Sequence, residues 1–246
     1  MQPIKYFGFQ SVAVENAVVS ITEGLRNLDG SIIWDTANKV VLAETNNGNL
    51  PVQFRRGVYF DPRIFSNPLL ALKGKVGKAY LLQILAGGKQ YSAVTTLLTP
   101  IPVDSITSGF RIVNDSNQTK VRITNNYKDP DSIGNRQFYY WRDSSNRNNF
   151  GWGGLTKSGW PGDDNFTNGE YIRLIHSQEF NVRDTVQYFM ASVTREVYNF
   201  WDSYNKAENN NGPFSTPVSL ITNIRGDNVT GCFSGLALSN TTIITK

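Results

Sequence analysis

The chain has 246 residues, only 18% of them charged, and a formal charge of +4. That length can bury a full core in two domains or in one large β unit, so neither a disulfide nor a metal staple is required. Lys and Arg are scattered, with Arg55 and Arg56 the only adjacent pair, which excludes the basic patch or stripe that marks nucleic-acid binding.

Asn is the commonest residue, followed by Gly, Ser, Thr and Val, a mixture of turn formers and strand formers. The start, "MQPIKYFGFQ", lacks the charged end and apolar core of a signal peptide. Any targeting segment is therefore expected outside this sequence, and no apolar run reaches transmembrane length. "AVENAVVSITEG" alternates through Val14, Ala17, Val19 and Ile21, with a break near Glu15 and Asn16. "SIIWDTANKVVLAETNNGNL" reads as two short strands, with a polar turn at Asn38 and a Gly-containing turn over 46–49. "GVYFDPRIF" is a third apolar piece. "GKAYLLQILAGGKQYSAVTTLL" is the clearest hairpin, its two β-rich runs joined at Gly87 and Gly88. Short strands at this spacing predict a sandwich.

The two prolines of "TPIPVDSI", 99–106, favour an extended connector and place a domain boundary at 103/104, giving domains 1–103 and 104–246. "GFRIV" and "KVRITNNY" follow as a strand pair. Residues 143–168 lose all periodicity and carry Trp152 and Trp160, each beside glycine. Long irregular segments are often functional, and Trp is enriched at contact hot spots. Trp152 and Trp160, with Tyr139, Tyr140 and Trp141, are therefore the candidate ligand- or partner-contact residues, against the alternative of a loop pinned by Trp packing. "DTVQYFMASV" is a strand with Val186, Tyr188 and Met190 on one face. The period then changes: Val197, Phe200, Trp201 and Tyr204 stand at i, i+3, i+4 and i+7. With Thr194 as N-cap and Gly212-Pro213 as the stop, this predicts one amphipathic helix over 195–208. Further strands are expected near 218–221, 231–238 and 242–244.

Catalytic patterns are sparse. His176 is the only histidine and Cys232 the only cysteine. No nucleophile elbow, phosphate loop or dinucleotide fingerprint is present, and the usual zinc sets cannot be assembled. Cys232 reads as a small buried hydrophobe. Asp163, Asp164, Glu170 and Asp184 could supply a carboxylate pair, as acids in any protein could. Laid against a calcium loop, "GWPGDDNFTNGEY" (159–171) matches at Asp163 and Asn165, but Asn168 stands where Gly is needed and Leu174 where the bidentate Glu belongs. A turn, with Asp and Asn side chains bonding their own backbone, is the better reading. No catalytic residue, metal or cofactor is expected.

One ordered series is distinctive. Asp163 or Asp164, Phe166 and Gly169 form a turn. Thr194, Glu196, Tyr198 and Trp201 open the helix. Gly212, Pro213, Phe214 and Pro217, then Asn223, Ile224 and Gly226, then Gly231 and Phe233 complete the series. It resembles a family of Bacteroidota lipoproteins, a domain of unknown function encoded beside TonB-dependent receptors of the SusC type. "VAVENAVVSITEG", "GKAYLLQILAGGKQYSA" and "TPIPVDSI" resemble its N-terminal strands and inter-domain segment. The resemblance implies a mainly β fold: an immunoglobulin-like or transthyretin-like sandwich, followed by a larger β-rich domain carrying the helix. It also implies a non-enzymatic accessory subunit at the outer membrane and cell surface, held by a lipid anchor not present in this sequence. Its partners would be a TonB-dependent receptor-type β-barrel and other surface lipoproteins. Family members carry an additional first strand pair, so the first sandwich is expected to be incomplete, with an edge open to β-augmentation. The alternative is a free-standing surface module binding glycan or peptide through aromatic faces.

Overall fold

The structure, a computed structural model, describes residues 14–45, 57–113, 119–144, 160–164, 168–210 and 216–246. The chain is mainly β and sandwich-like, as the strand-rich pattern predicts. It divides into two compact units, one of residues 1–96 with 222–233, the other of 97–221 with 234–246.

The first unit is built on one antiparallel sheet. Its strands are β1 (Val18–Arg26), β2 (Ile32–Trp34), β3 (Val40–Glu44), β4 (Tyr59–Phe60), β5 (Lys78–Ala86), β6 (Lys89–Thr96) and the late β14 (Ile224–Arg225). Their order is β14-β6-β5-β1-β3-β4, with β2 also pairing with β1. The β5–β6 hairpin turns at Gly87 and Gly88, both at positive φ, as a tight two-residue connection requires. Register sets the faces: Val19 pairs with Ile84 and Leu42, Ile21 with Leu82, and Ile84 with Tyr91. With a side-chain period of two, these apolar residues share one face. A four-residue helix, α1 (Arg63–Ser66), follows Asp61. The buried Asp61 carboxylate accepts from the Arg63 and Leu72 amides (3.0 and 2.7 Å) and from the Arg63 guanidinium (2.8 Å). The Arg63 guanidinium holds that carboxyl well below the usual carboxylate range.

The second unit has two four-stranded sheets. One runs β11 (Tyr171–Ile175), β8 (Thr119–Lys128), β12 (Phe180–Asn181), with β7 (Ser105–Val113) also on β8. The other runs β10 (Trp160–Asp163), β9 (Arg136–Asp143), β13 (Thr185–Ser192), β15 (Leu238–Ile244). Val121, Ile123 and Tyr127 of the first sheet pack with Tyr139, Trp141, Val186, Tyr188 and Met190 of the second in one buried cluster. The opposite face of β9, together with β10 beside it, meets α2 (Arg195–Asn209), with Phe138 and Trp201 rings 5.1 Å apart. Thr194 caps α2 through Val197 N–H, and Val197 and Phe200 are buried, as the periodicity predicts.

Three expectations fail. Residues 218–221 form no strand, the stretch near 231–238 reaches strand only at Leu238, and the "irregular" segment contains β10. Pro161 is tolerated in β10 because β10 is an edge strand. The turn expected at 46–49, together with residues 114–118 and 145–159, lies outside the described residues.

Candidate functional site

The Asp-rich turn is a brace. Asp164 is buried and accepts from the amides of Gly134 (2.9 Å) and Asn135 (3.0 Å). Asp163 accepts from the Tyr198 hydroxyl at 3.0 Å, and burial, ahead of that bond, pushes the phenol up to about 12. Asp129 accepts from the Gly169 amide at 3.2 Å, and the Lys128 ammonium donates to the Gly169 carbonyl. Burial raises the Asp129 carboxyl, and Asp164 and Asp131 add to the rise. Asp184 accepts from Asn181 N–H (3.0 Å) and the Ser144 hydroxyl (3.1 Å). The acids that composition offered for chemistry are thus engaged in local structure, with Glu170 exposed. Asn165 and Thr167 lie outside the described residues. Among the described residues no group of three or more His, Cys, Asp or Glu could hold a metal. Asp164→Ala is expected to cost about 2 kcal/mol, because it strands two backbone donors. Urea unfolding checks this, and a change within about 0.5 kcal/mol, the level of a neutral surface substitution, would reject the brace.

His176 follows β11 and is buried among Tyr139, Trp141 and Tyr188, with ring centroids 5.6, 5.5 and 5.1 Å away. Its buried Nε2 has no partner among the described residues, and burial pushes the imidazole down to about 4. Such a ring is neutral and sealed, unlike a general base, which needs both access and a pKa near the working pH. The Cys232 thiol is pushed up to about 12 by burial, which leaves almost no thiolate for nucleophilic attack.

A broad concavity belongs to the first unit. It is a trough of about 870 Å³ whose floor is Val19, Ile21, Leu42, Leu82, Ile84 and Tyr91, the apolar face of the sheet. Its volume lies within the range of ligand pockets, and its floor is apolar as theirs are. Both rims are held by hydrogen bonds. At one, the Tyr59 hydroxyl accepts from Ala17 N–H (2.8 Å) and donates to the Val14 carbonyl (2.9 Å). At the other, the Asn223 side chain grips both backbone groups of Phe233, each at 2.8 Å.

The family model described as Domain of unknown function (DUF4249) matches residues 3–242. The chain belongs to this family. No match was found among curated proteins or among solved structures.

In this DUF4249 chain the contact candidates do not form a surface among the described residues. Tyr139 and Trp141 point into the buried cluster, and the Tyr127 and Tyr139 hydroxyls lie 3.0 Å apart. Tyr140 stacks on Phe189 on the opposite face of β9, with centroids 4.5 Å apart, and is also buried. The physical reason is that β9 lies between a second sheet and a helix, so both its faces are covered. Trp160 begins β10 opposite Tyr139, and Trp152 lies outside the described residues. The trough floor was visible as strand residues but not as a site. The only hint was apolar alternation at 19/21 and 82/84, the pattern of an ordinary core face. The second unit of the DUF4249 chain also holds a smaller pocket of about 440 Å³ beside Arg136 and Ser192.

Proposed function

We propose that this DUF4249 chain is a non-catalytic accessory subunit that docks, through the trough of its first unit, onto an outer-membrane β-barrel of the TonB-dependent receptor type. In this reading it is a surface lipoprotein of Bacteroidota, carried at the outer membrane by a lipid anchor, with a structural or substrate-capturing role alongside other surface lipoproteins. The observation that carries the reading is the trough: a broad apolar sheet face with braced rims. Its floor residues are buried or half-buried in a concavity rather than spread on an open surface, as the lining of a binding site is. The engaged carboxylates and the sealed His176 support a binding role over a hydrolytic one. The ordered motif series supports the choice of barrel and membrane.

The test is native purification in mild detergent with the tagged chain and with Leu82→Glu, which puts a charge on the trough floor. A TonB-dependent barrel should accompany the unaltered chain, and its recovery should fall about tenfold with Leu82→Glu, the effect of losing one contact of about 1.4 kcal/mol. Absence of any such barrel from the unaltered complex would defeat the proposal. Glycan binding through aromatic faces is the weaker reading here, since Tyr139, Tyr140 and Trp141 are interior.

A further inference from the structure

One loop of the first unit shows apolar side chains to solvent within an unbroken exposed run. Residues 64–70 are all exposed, and they include Ile64, Phe65, Leu69 and Leu70, with Phe65 at 78% and Leu69 at 86%. Large apolar residues scattered singly on a surface need no explanation, but a cluster of them on one loop marks an interaction site. None of the four lines the trough.

The run is held as a pinned tip. The buried Asp61 carboxylate accepts from the amides of Arg63 and Leu72, so one side chain ties both ends of the loop together. Inside it, Ile64 N–H donates to the Asp61 carbonyl (3.0 Å), Phe65 N–H to that of Pro62 (3.3 Å), Asn67 N–H to that of Arg63 (2.8 Å) and Leu70 N–H to that of Asn67 (3.0 Å). Pro62 and Pro68 have no N–H to satisfy. Most backbone donors of the tip are thus engaged within the loop, which lowers the cost of moving it into a medium without water. Its turns offer no extended edge on which a partner strand could pair.

Charge narrows the class of partner. Residues 62–78 carry Arg63, Lys73, Lys75 and Lys78 and no Asp or Glu. Arg63 is engaged with Asp61 and Lys75 with Glu23 (3.1 Å), while Lys73 and Lys78 take part in no ion pair among the described residues. An apolar tip followed at once by cations suits the boundary of an anionic bilayer, where hydrocarbon lies beneath negative headgroups. We propose that the 61–72 loop inserts Ile64, Phe65, Leu69 and Leu70 into the interfacial layer of a lipid bilayer, with Lys73 drawn to anionic headgroups. This contact is separate from the trough and from any covalent lipid.

The full chain, produced without attached lipid, is sedimented with vesicles of phosphatidylcholine alone and of phosphatidylcholine with about 30% phosphatidylglycerol. Saturable binding to the anionic vesicles is expected, with weaker binding to the neutral ones. Phe65→Ser with Leu69→Ser should weaken it about tenfold or more, and since both side chains are exposed the fold should be kept. Lys73→Glu should weaken binding to the anionic vesicles by about fivefold or more and leave the neutral ones unchanged. A dye sensitive to its surroundings, attached at Leu69→Cys in a Cys232→Ser background, should shift to the blue on vesicles. The same dye at Ile133→Cys, an exposed apolar site of the second unit, should not. No sedimentation with either vesicle, sedimentation unchanged in the double serine variant, or equal shifts at the two dye sites overturns the proposal. Loss of a co-purifying protein in the double serine variant, with no vesicle binding, assigns the tip to a protein instead. Should the labelled variants fail to fold, the serine pair decides it.

Discussion

Tyr188→Ala should destabilise the second unit by about 3–5 kcal/mol, the range for deleting a large aromatic from a closed core. Tyr188 is fully buried on β13. Its ring stacks with Tyr139 at 6.4 Å and meets His176 at 5.1 Å, and its hydroxyl accepts from Asn125 Nδ2 at 3.2 Å. Truncation therefore opens a cavity and also strands a buried amide, whose other contact is the Met190 sulfur at 3.7 Å. Tyr188→Phe separates the two effects: it keeps the volume and loses only the hydroxyl, so about 1 kcal/mol is expected. Denaturant unfolding measures both. Since whole domains are stable by only about 5–15 kcal/mol, the alanine variant should show a clearly lowered midpoint, and equal costs for the two variants would contradict the packing account.

Acid should weaken the fold through His176, and His176→Phe should remove that weakness. In the folded state the imidazole titrates at about 4, against an ordinary value of 6.5, because burial penalises the charged ring. The unfolded chain takes up the proton first. Stability from keeping the ring neutral is therefore fully present above about pH 6.5, declines as pH falls, and is lost by about pH 4. A gap of this size corresponds to about 3 kcal/mol between those limits. Phe suits the aromatic surroundings and lacks the orphan Nε2, so near-neutral stability at pH 7 is expected. Unfolding free energies at a series of pH values, taken as the difference between the two proteins, isolate this residue from the carboxylates that titrate in the same range. Parallel profiles for the two proteins would show that His176 is not the acid-sensitive group.

The elements legible in the sequence were those whose signals are local. The Gly87-Gly88 turn, the Thr194 cap, and the spacing of Val197 and Phe200 each act within a few residues, and each is found where the pattern placed it. Strand β9 was not legible. Its "FYYW" run is covered by a sheet on one side and by α2 on the other, so it shows no alternation, and its aromatics looked like a contact surface. Strand β10 was masked by Pro161 and Gly162, residues that ordinarily signal turns. A Cβ on Gly162 would lie 2.7 Å from the Tyr139 ring, so the glycine permits β10 to lie close over that side chain. The trough was invisible for a different reason: it is assembled from segments far apart in the chain, and no local pattern records how they come together.

Strand β14 has a consequence for the order of synthesis. It is two residues long, it pairs with β6 at Ala93 and Ser92, and a Cβ on Gly226 beside it would come within 2.3 Å of Tyr91. The first unit therefore closes its β6 edge with residues the ribosome delivers only after β7 to β13 and α2 have been made. The second unit likewise waits for β15 to cover β13. Both sheets are finished by the same short tail of the polypeptide, so a nascent or prematurely stopped chain exposes two raw strand edges at once, the kind of surface on which chains pair with one another. A frameshift or nonsense codon late in the gene would thus damage the N-terminal half as surely as the C-terminal one.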